Sequence, residues 1–251
     1  MKHVRIIFSL LLLFSGGVFA QRMVDYNALT WWSNVNKYAF SDSWHAISEI
    51  HIRRADWILN WQQFVFRPSI HKTLTGNLVV GFGSSFVRQF PYGKQPVAME
   101  FTELNLFEQI IIKGVIKTWR FSNRFRLENR RIPNIVYDAE DNLQISNYSL
   151  KERLRYRFAV KQRELVSGAT HKWYLLLFDE VFISLNSKTF LPSALQQNRL
   201  YAGFATVRKK TTLELGYLHQ LIKKSDGVHI EVNPTVQIAV KYNFDFRKRE
   251  D

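Results

Sequence analysis

The chain has no cysteine, six prolines, 11 glycines and only 21 acidic residues against 35 basic ones. Without cysteine there is no disulfide framework, no thiolate chemistry and no thiol to carry a lipid anchor. Stability must come from hydrogen bonding and packing. The scarcity of proline and glycine excludes collagen-like and low-complexity chains. Beyond Ala20 no apolar run approaches the ~20 residues of a membrane-spanning helix; the longest, Trp173 to Phe178, has the size of a strand. There is no G-x-S-x-G nucleophile motif and no glycine loop to cradle a phosphate; Gly81 and Gly83 fit better as relief of crowding in a curved strand.

What is present begins with an export signal. Lys2 and Arg5 form a positive flank, Ile6 to Phe14 an apolar core, and Val18-Phe19-Ala20 a cleavage site before Gln21. Residues 1–20 are therefore expected to be a signal peptide. The net charge of +14 falls to +12 when Lys2 and Arg5 leave with it. Such an excess selects nucleic acid or anionic surfaces and solutes as partners. Export excludes nucleic acid, which leaves lipid headgroups or small anions. Aromatic residues make up 15% of the chain, more than a soluble protein needs.

The mature chain alternates with period two. Val236, Ile238, Val240, Tyr242, Phe244 and Phe246 alternate with Gln237, Ala239, Lys241, Asn243 and Asp245, and Leu213, Leu215 and Tyr217 with Glu214, Gly216 and Leu218. Leu154, Tyr156, Phe158 and Val160 oppose Arg153, Arg155 and Arg157; Phe121, Phe125 and Leu127 oppose Arg120, Arg124, Arg126, Glu128 and Arg130. Near the start, Trp44, Ala46, Ile50 and Ile52 oppose His45, Glu49, His51 and Arg53. This is the signature of strands with two unlike faces. A soluble sandwich would carry a mixed polar face. Here that face is dense in arginine interspersed with glutamate, charges that neutralise one another in a confined interior. The other face is aliphatic with aromatics near segment ends, as a lipid-facing band with interfacial girdles would be.

Ten segments are strong, centred on Ile50, Phe64, Val80, Leu106, Phe125, Tyr156, Leu177, Tyr201, Leu215 and Ile238. Links near His71–Gly76, Lys113–Lys117 and Arg208–Thr211 are short, whereas Arg88–Met99, Arg131–Asn147 and Ser184–Leu195 are long, and Glu164–His171 is intermediate. Outer-membrane barrels alternate short periplasmic turns with longer external loops, and termini on one side require an even number of strands. The expected fold is all-β, a single antiparallel transmembrane β-barrel of ten strands, with twelve as the alternative. The barrel should fill residues 43–246, after a lead-in of 21–42 and before a charged tail of 247–251. Ala28 to Ser33, with Trp31 and Trp32, also has strand character and would make eleven. Phe244 and Phe246 resemble the aromatic end that the outer-membrane assembly machinery recognises, although Arg247-Lys248-Arg249-Glu250-Asp251 follows them.

Five local patterns resemble the uncharacterised outer-membrane barrel family known as domain of unknown function 2490. They are Arg126-Leu-Glu-Asn-Arg130, Glu152-Arg-Leu-Arg-Tyr-Arg157, Asp179-Glu180-Val-Phe182, Gln197-Asn-Arg-Leu-Tyr-Ala-Gly203 and Glu214-Leu-Gly-Tyr217. The resemblance implies a barrel in the outer membrane of a Gram-negative bacterium and supplies no activity.

The most distinctive candidate site is the charged face: Glu49, His51, Arg53, Arg67, Glu103, Arg124, Arg126, Glu128, Arg130, Arg153, Arg155, Arg157, Glu180, Arg199 and Glu214. It reads either as a salt-bridged filling of a narrow barrel or as an anion-attracting constriction. A barrel of about ten to twelve strands leaves little lumen beside the 16 to 18 of porins, which favours the filling. A lipid-modifying hydrolase is the alternative function, with His219 and nearby Ser225 as its only candidates and no nucleophile motif to support them. A secreted soluble sandwich binding an anionic partner is the third. His45, Glu49 and His51 share one strand face and are a weak metal candidate. Asp138, Glu140 and Asp141 lack calcium-loop spacing, and the Asn147-Tyr-Ser149 sequon carries no meaning in a bacterium. No cofactor, metal or catalytic residue is expected. The expected partners are outer-membrane lipid, the assembly machinery and small anionic solutes; the oligomeric state is not legible.

Overall fold

A computed structural model describes residues 23–94, 96–162, 166–167, 172–186, 194–224 and 226–247. The expected signal segment, Ser225, most of the Glu164–His171 link and residues 248–251 lie outside the described residues.

All regular structure among the described residues is β. In chain order the strands are β1 Met23–Tyr26, β2 Leu29–Ala39, β3 Trp44–Ala55, β4 Asn60–Thr73, β5 Leu78–Gln89, β6 Phe101–Ile116 and β7 Trp119–Tyr137. They continue with β8 Leu143–Gln162, β9 Val166–Ser167, β10 Lys172–Ser184, β11 Leu195–Arg208, β12 Thr211–Lys223 and β13 His229–Asp245. Each of the ten expected segments lies in one of these strands. The short β9 pairs only with the start of β10.

From β2 to β13, with β9 set aside and β8 pairing directly with β10, every strand pairs antiparallel with the next, and β13 returns to β2, closing a barrel of eleven strands. The expected count of ten, or twelve, is corrected here. The additional strand is β2, which carries Trp31 and Trp32 and lies in the segment expected to lead into the barrel. An odd number of alternating strands cannot close antiparallel throughout. The seam is therefore parallel, from Thr235↔Leu29 to Asp245↔Ala39, and β1 extends it from Met23↔His229 to Tyr26↔Val232. In consequence β2 runs in the same direction as β13 and starts from the same end of the barrel, opposite Thr235. The N-terminal strand opens at one end of the barrel and Phe246 closes at the other, where its N–H donates to Ala39 O (2.9 Å). The shared side expected for the two termini does not hold.

Links at the Phe246 end include 40–43, 74–77, 117–118 and 209–210, and β8 and β10 are joined on that side; 56–59 and 138–142 lie at the other end, as do the connections from β5 to β6, β10 to β11 and β12 to β13. The expected long loop Arg131–Asn147 is mostly strand. β7 and β8 continue as a hairpin to a turn at 138–142, because Ile132, Ile135, Val136, Ile145 and Tyr148 hold an extended backbone among polar neighbours. In that turn Asp138 Oδ1 accepts the N–H groups of Glu140 (3.0 Å) and Asn142 (2.8 Å).

The barrel is polar inside and apolar outside. Arg126, Glu128, Glu180, Glu103 and Asn233 are buried, while Leu106, Leu200, Phe204 and Leu215 are each more than half exposed. A small apolar cluster of Leu29, Trp31, Ala55, Tyr201 and Leu218 packs inside the wall near the seam. Gly203 and Gly216 lie opposite one another on β11 and β12, and a Cβ on either would collide with the Tyr201 phenol. The missing side chains leave the space the ring occupies. Where Pro68 has no N–H to give, the β4–β5 ladder is interrupted between Phe66↔Phe86 and Ser69↔Gly83; there Arg67 Nε donates to Ser85 Oγ (2.9 Å).

Candidate functional site

Register alone brings the inward charges together. Glu128 sits opposite Arg153, and Arg126 opposite Arg155, across β7 and β8. Glu180 of β10 sits between Arg157 of β8 and Arg199 of β11, and Glu49 of β3 lies opposite Arg67 of β4. These cross-strand neighbours stand within reach of long side chains.

Four carboxylates organise the charged half of the lumen. Glu128 accepts from Arg153 Nη2 (2.5 Å) and Nε (2.8 Å) and from Arg155 Nη1 (2.6 Å). Glu180 accepts from Arg124 Nη2 (2.5 Å) and from Arg155 Nη2 (2.9 Å) and Nε (3.2 Å), with Arg199 Nη1 at 3.9 Å. Arg155 thus bridges the two glutamates. Glu103 takes a two-point contact from Arg130 at 2.7 and 2.8 Å, and Glu49 accepts from Arg67 Nη1 (3.0 Å) and pairs with His51 Nε2 (2.9 Å). Such forked contacts are the strongest ion pairs a protein makes.

Arginines outnumber these glutamates, and the surplus is met by other groups. Arg126 donates to Gln109 Oε1 from Nε (2.9 Å) and Nη2 (2.7 Å) and lies 4.0 Å over the Phe107 ring. Arg53 donates to Gln63 and lies 4.1 Å over Trp31; Arg199 stacks on Trp31 (4.9 Å) and Phe182 (4.7 Å). Phe182 also underlies Arg155 at 4.4 Å and Arg153 at 5.2 Å. A flat guanidinium is weakly hydrated and stacks on aromatic faces, which an ammonium does less well. At the adjoining mouth Tyr92, from the 90–100 link, donates to Glu231 (3.1 Å), which Lys224 also meets at 2.5 Å; Asn27 donates to Asn233 (3.0 Å). The lumen is stoppered from this mouth to mid-barrel.

The other half is different. A cavity of about 490 Å³ lies beside the short links, lined by Lys113, Arg120, Arg157, Lys161 and Lys241, with Glu214 as the only carboxylate among the described lining residues. Glu214 pairs with Lys241. Phe178 and Tyr201, stacked at 4.7 Å, separate the cavity from the stopper.

Of the fifteen residues read as one lumen network, Arg157 and Glu214 thus belong to the cavity and the remainder to the stopper. Reading by charge missed Trp31, Phe107, Phe182 and Gln109, whose signal was their place on the same face as the arginines. It also left out the lysines of the cavity, although Lys241 stands on the polar face of the last segment. His45 stacks on His71 at 5.0 Å, whereas His51 pairs with Glu49, so the weak metal candidate is divided. Among the described residues no group of three or more His, Asp or Glu is placed to hold a metal ion. His219 is outward beside Tyr217, whose hydroxyl lies 3.4 Å from its Nδ1.

One family model, described as Protein of unknown function (DUF2490), matches residues 28–244. The chain belongs to that family. The matched segment runs from the residue before β2 into β13, so it takes in the whole closed barrel of this DUF2490 member, including the parallel seam. The five local patterns that carry the resemblance supply Arg126, Glu128, Arg130, Arg153, Arg155, Arg157, Glu180, Phe182, Arg199, Tyr201 and Glu214, most of the stopper and part of the cavity. No curated protein and no solved structure matches the chain.

Proposed function

We propose that this DUF2490 barrel is an exported, non-enzymatic outer-membrane protein of a Gram-negative bacterium, with a lumen closed by its arginine and glutamate stopper. The observation that carries the reading is the inverted polarity: ion pairs inside, and a continuous outward band of exposed Ile, Leu, Val and Phe. A water-soluble barrel would gain nothing from that band and would aggregate through it. Aromatics gather where the band ends. Tyr38, Phe40, Phe244 and Phe246 stack at the short-link end, and Trp57 and Trp61 lie toward the other. On this reading the short links and Phe246 face the periplasm, and the mouth covered by Tyr92 faces outward.

Migration on a gel tests the barrel in the membrane. Protein extracted from outer membranes should migrate faster unheated than boiled; soluble periplasmic protein with no such shift overturns the reading. Glu108 offers a second test. It is outward and exposed between Leu106 and Ile110, beside Phe82 and Leu127. In a bilayer Glu108→Leu should stabilise the barrel by about 1–2 kcal/mol, since a carboxylate on the lipid face costs somewhat less than the roughly 2–4 kcal/mol of a basic residue there.

Passage of small anions is the second reading, favoured by the excess of cations inside. Planar bilayers separate the two. A stoppered barrel gives no current until Trp31 and Phe182 are both cut to alanine, whereas steady anion-selective steps from the unaltered protein establish a pore. Lipid turnover by the purified barrel would instead support the hydrolase.

A further inference from the structure

We propose that the open half of the lumen is a binding site for a small multivalent oxyanion, a phosphate ester or a polycarboxylate, entering from the short-link end. The site requires the closed barrel; the outer-membrane reading bears only on which compartment supplies the anion.

Charge is the first observation. Among the described lining residues five cations from β6, β7, β8 and β13 face one carboxylate, a net of +4, and that carboxylate is already held by Lys241. Within the set Lys161 is attracted by Glu214 and repelled by Lys241 and Arg120, while Lys113 is repelled by Lys37 of β2, outside the lining. In the stopper, surplus cations are spread over ring faces and glutamines. Here Lys161 over Tyr174 (3.8 Å) and Arg157 over Phe178 (5.1 Å) have such contacts, and none of these joins a second anion to the set. A concave wall of one sign focuses its field on the space it encloses and concentrates counter-ions there.

The second observation is independent of charge. Tyr201 is 2% exposed, lines the cavity, and its hydroxyl has no hydrogen-bond partner among the described residues. A buried hydroxyl without a partner costs about 1–3 kcal/mol. Its ring is held by Phe178 and by the Gly203–Gly216 pair, so the hydroxyl cannot turn away to find one. It presents a donor on the floor of a space whose walls are cationic. An oxyanion seated there would accept from Tyr201 and be neutralised by lysines on several strands. Several strands contributing cations favour more than one negative charge on the ligand, and about 490 Å³ suits a small molecule. The stopper makes the site blind, so the anion must leave by the way it came.

The test is calorimetric titration of the folded barrel in zwitterionic detergent, at low salt, with inorganic pyrophosphate and with citrate. Saturable binding is expected for at least one. It should weaken about tenfold in the double variant Lys113→Gln/Lys161→Gln and a few-fold in Tyr201→Phe, and should fall steeply with added salt. Arg54→Gln, at the opposite end, should bind as the parent does. Displacement of pyrophosphate by micelles containing phosphatidylglycerol identifies a lipid headgroup as the natural oxyanion; indifference to them identifies a soluble one. No saturable heat with either probe, or a Tyr201→Phe and double variant that bind as tightly as the parent, overturns the proposal. If the double variant does not fold, Tyr201→Phe, which removes only the hydroxyl, decides. Heat-modifiable migration of the same sample separates failure of this site from failure of the membrane reading.

Discussion

The two halves of the lumen carry the same excess of positive charge and treat it in opposite ways. Toward the long links the cations are arginines, layered between glutamates and the rings of Trp31, Phe107 and Phe182. Toward the short links they are mostly lysines around an open cavity with one carboxylate among its described lining residues. Guanidinium groups share acceptors and stack, so a surplus can be packed dry. Ammonium groups are compact and strongly hydrated, so a surplus of them holds a wet space open. Choice between two residue types of equal charge therefore decides which half is filled.

Removal of one charge from each half should break or sharpen that contrast. The largest effect belongs to Glu128→Ala. Glu128 is fully buried and answers Arg153 and Arg155, so its loss leaves buried cations uncompensated and should cost about 3–5 kcal/mol. Urea unfolding followed by heat-modifiable migration measures it, and a cost below 1 kcal/mol would mean the stopper is not a dry ion-pair lattice. Next comes the boundary between the halves. Gly203→Ala forces a Cβ into the Tyr201 phenol and against Leu215 O (2.8 Å), with an expected loss of about 1–3 kcal/mol in the same assay. An unchanged midpoint would show that the floor of the cavity yields.

The third change should have the opposite sign. Lys113→Gln removes a cation from a like-charged set and should leave the barrel as stable or more stable by about 0.5 kcal/mol at low salt, an effect that salt erases. A clear destabilisation would make Lys113 a structural partner and not a free wall of the site. The smallest effect lies outside the lumen. Asp226, in the β12–β13 link, accepts the backbone N–H of His229 (3.0 Å), pairs with the His229 ring (2.6 Å) and accepts the N–H of Val228 (2.9 Å). Those donors lower its pKa from 3.8 to about 2. A depressed carboxylate contributes its order above the unfolded value and loses it as pH falls through the folded one, so this link should loosen between about pH 4 and pH 2. Protection of the Val228 and His229 amides, taken relative to their intrinsic exchange rates, should fall as pH drops across that window in the parent and be already low, without the acid step, in Asp226→Ala.

Much of this was legible beforehand because the signals were local. Ten segments, the inward row of charges and the outward apolar row follow from alternation, which depends only on the pleat. β2 was half legible: Trp31 and Trp32 marked it, but Asn34, Asn36 and Lys37 weaken its pattern, and membership of a barrel is fixed by what closes against it. The hairpin beyond Arg131 reads as loop because polar and apolar residues are mixed on both its faces, although its β-branched residues keep it extended. The cavity escaped notice because a lysine on the polar face reads the same whether it stands in a packed lattice or an open one.

Alone, the sequence determined that these are strands, which side of each is charged, and that the charged side is too rich in arginine to face bulk water without order. Tertiary structure decided the rest: eleven strands with one parallel seam, Arg124 meeting Glu180 across 56 residues, and a stopper that ends at Phe178 and Tyr201. The reason is range. Alternation is fixed by neighbours two residues apart, whereas closure and the division of the lumen depend on registers between strands that only the closed barrel brings together.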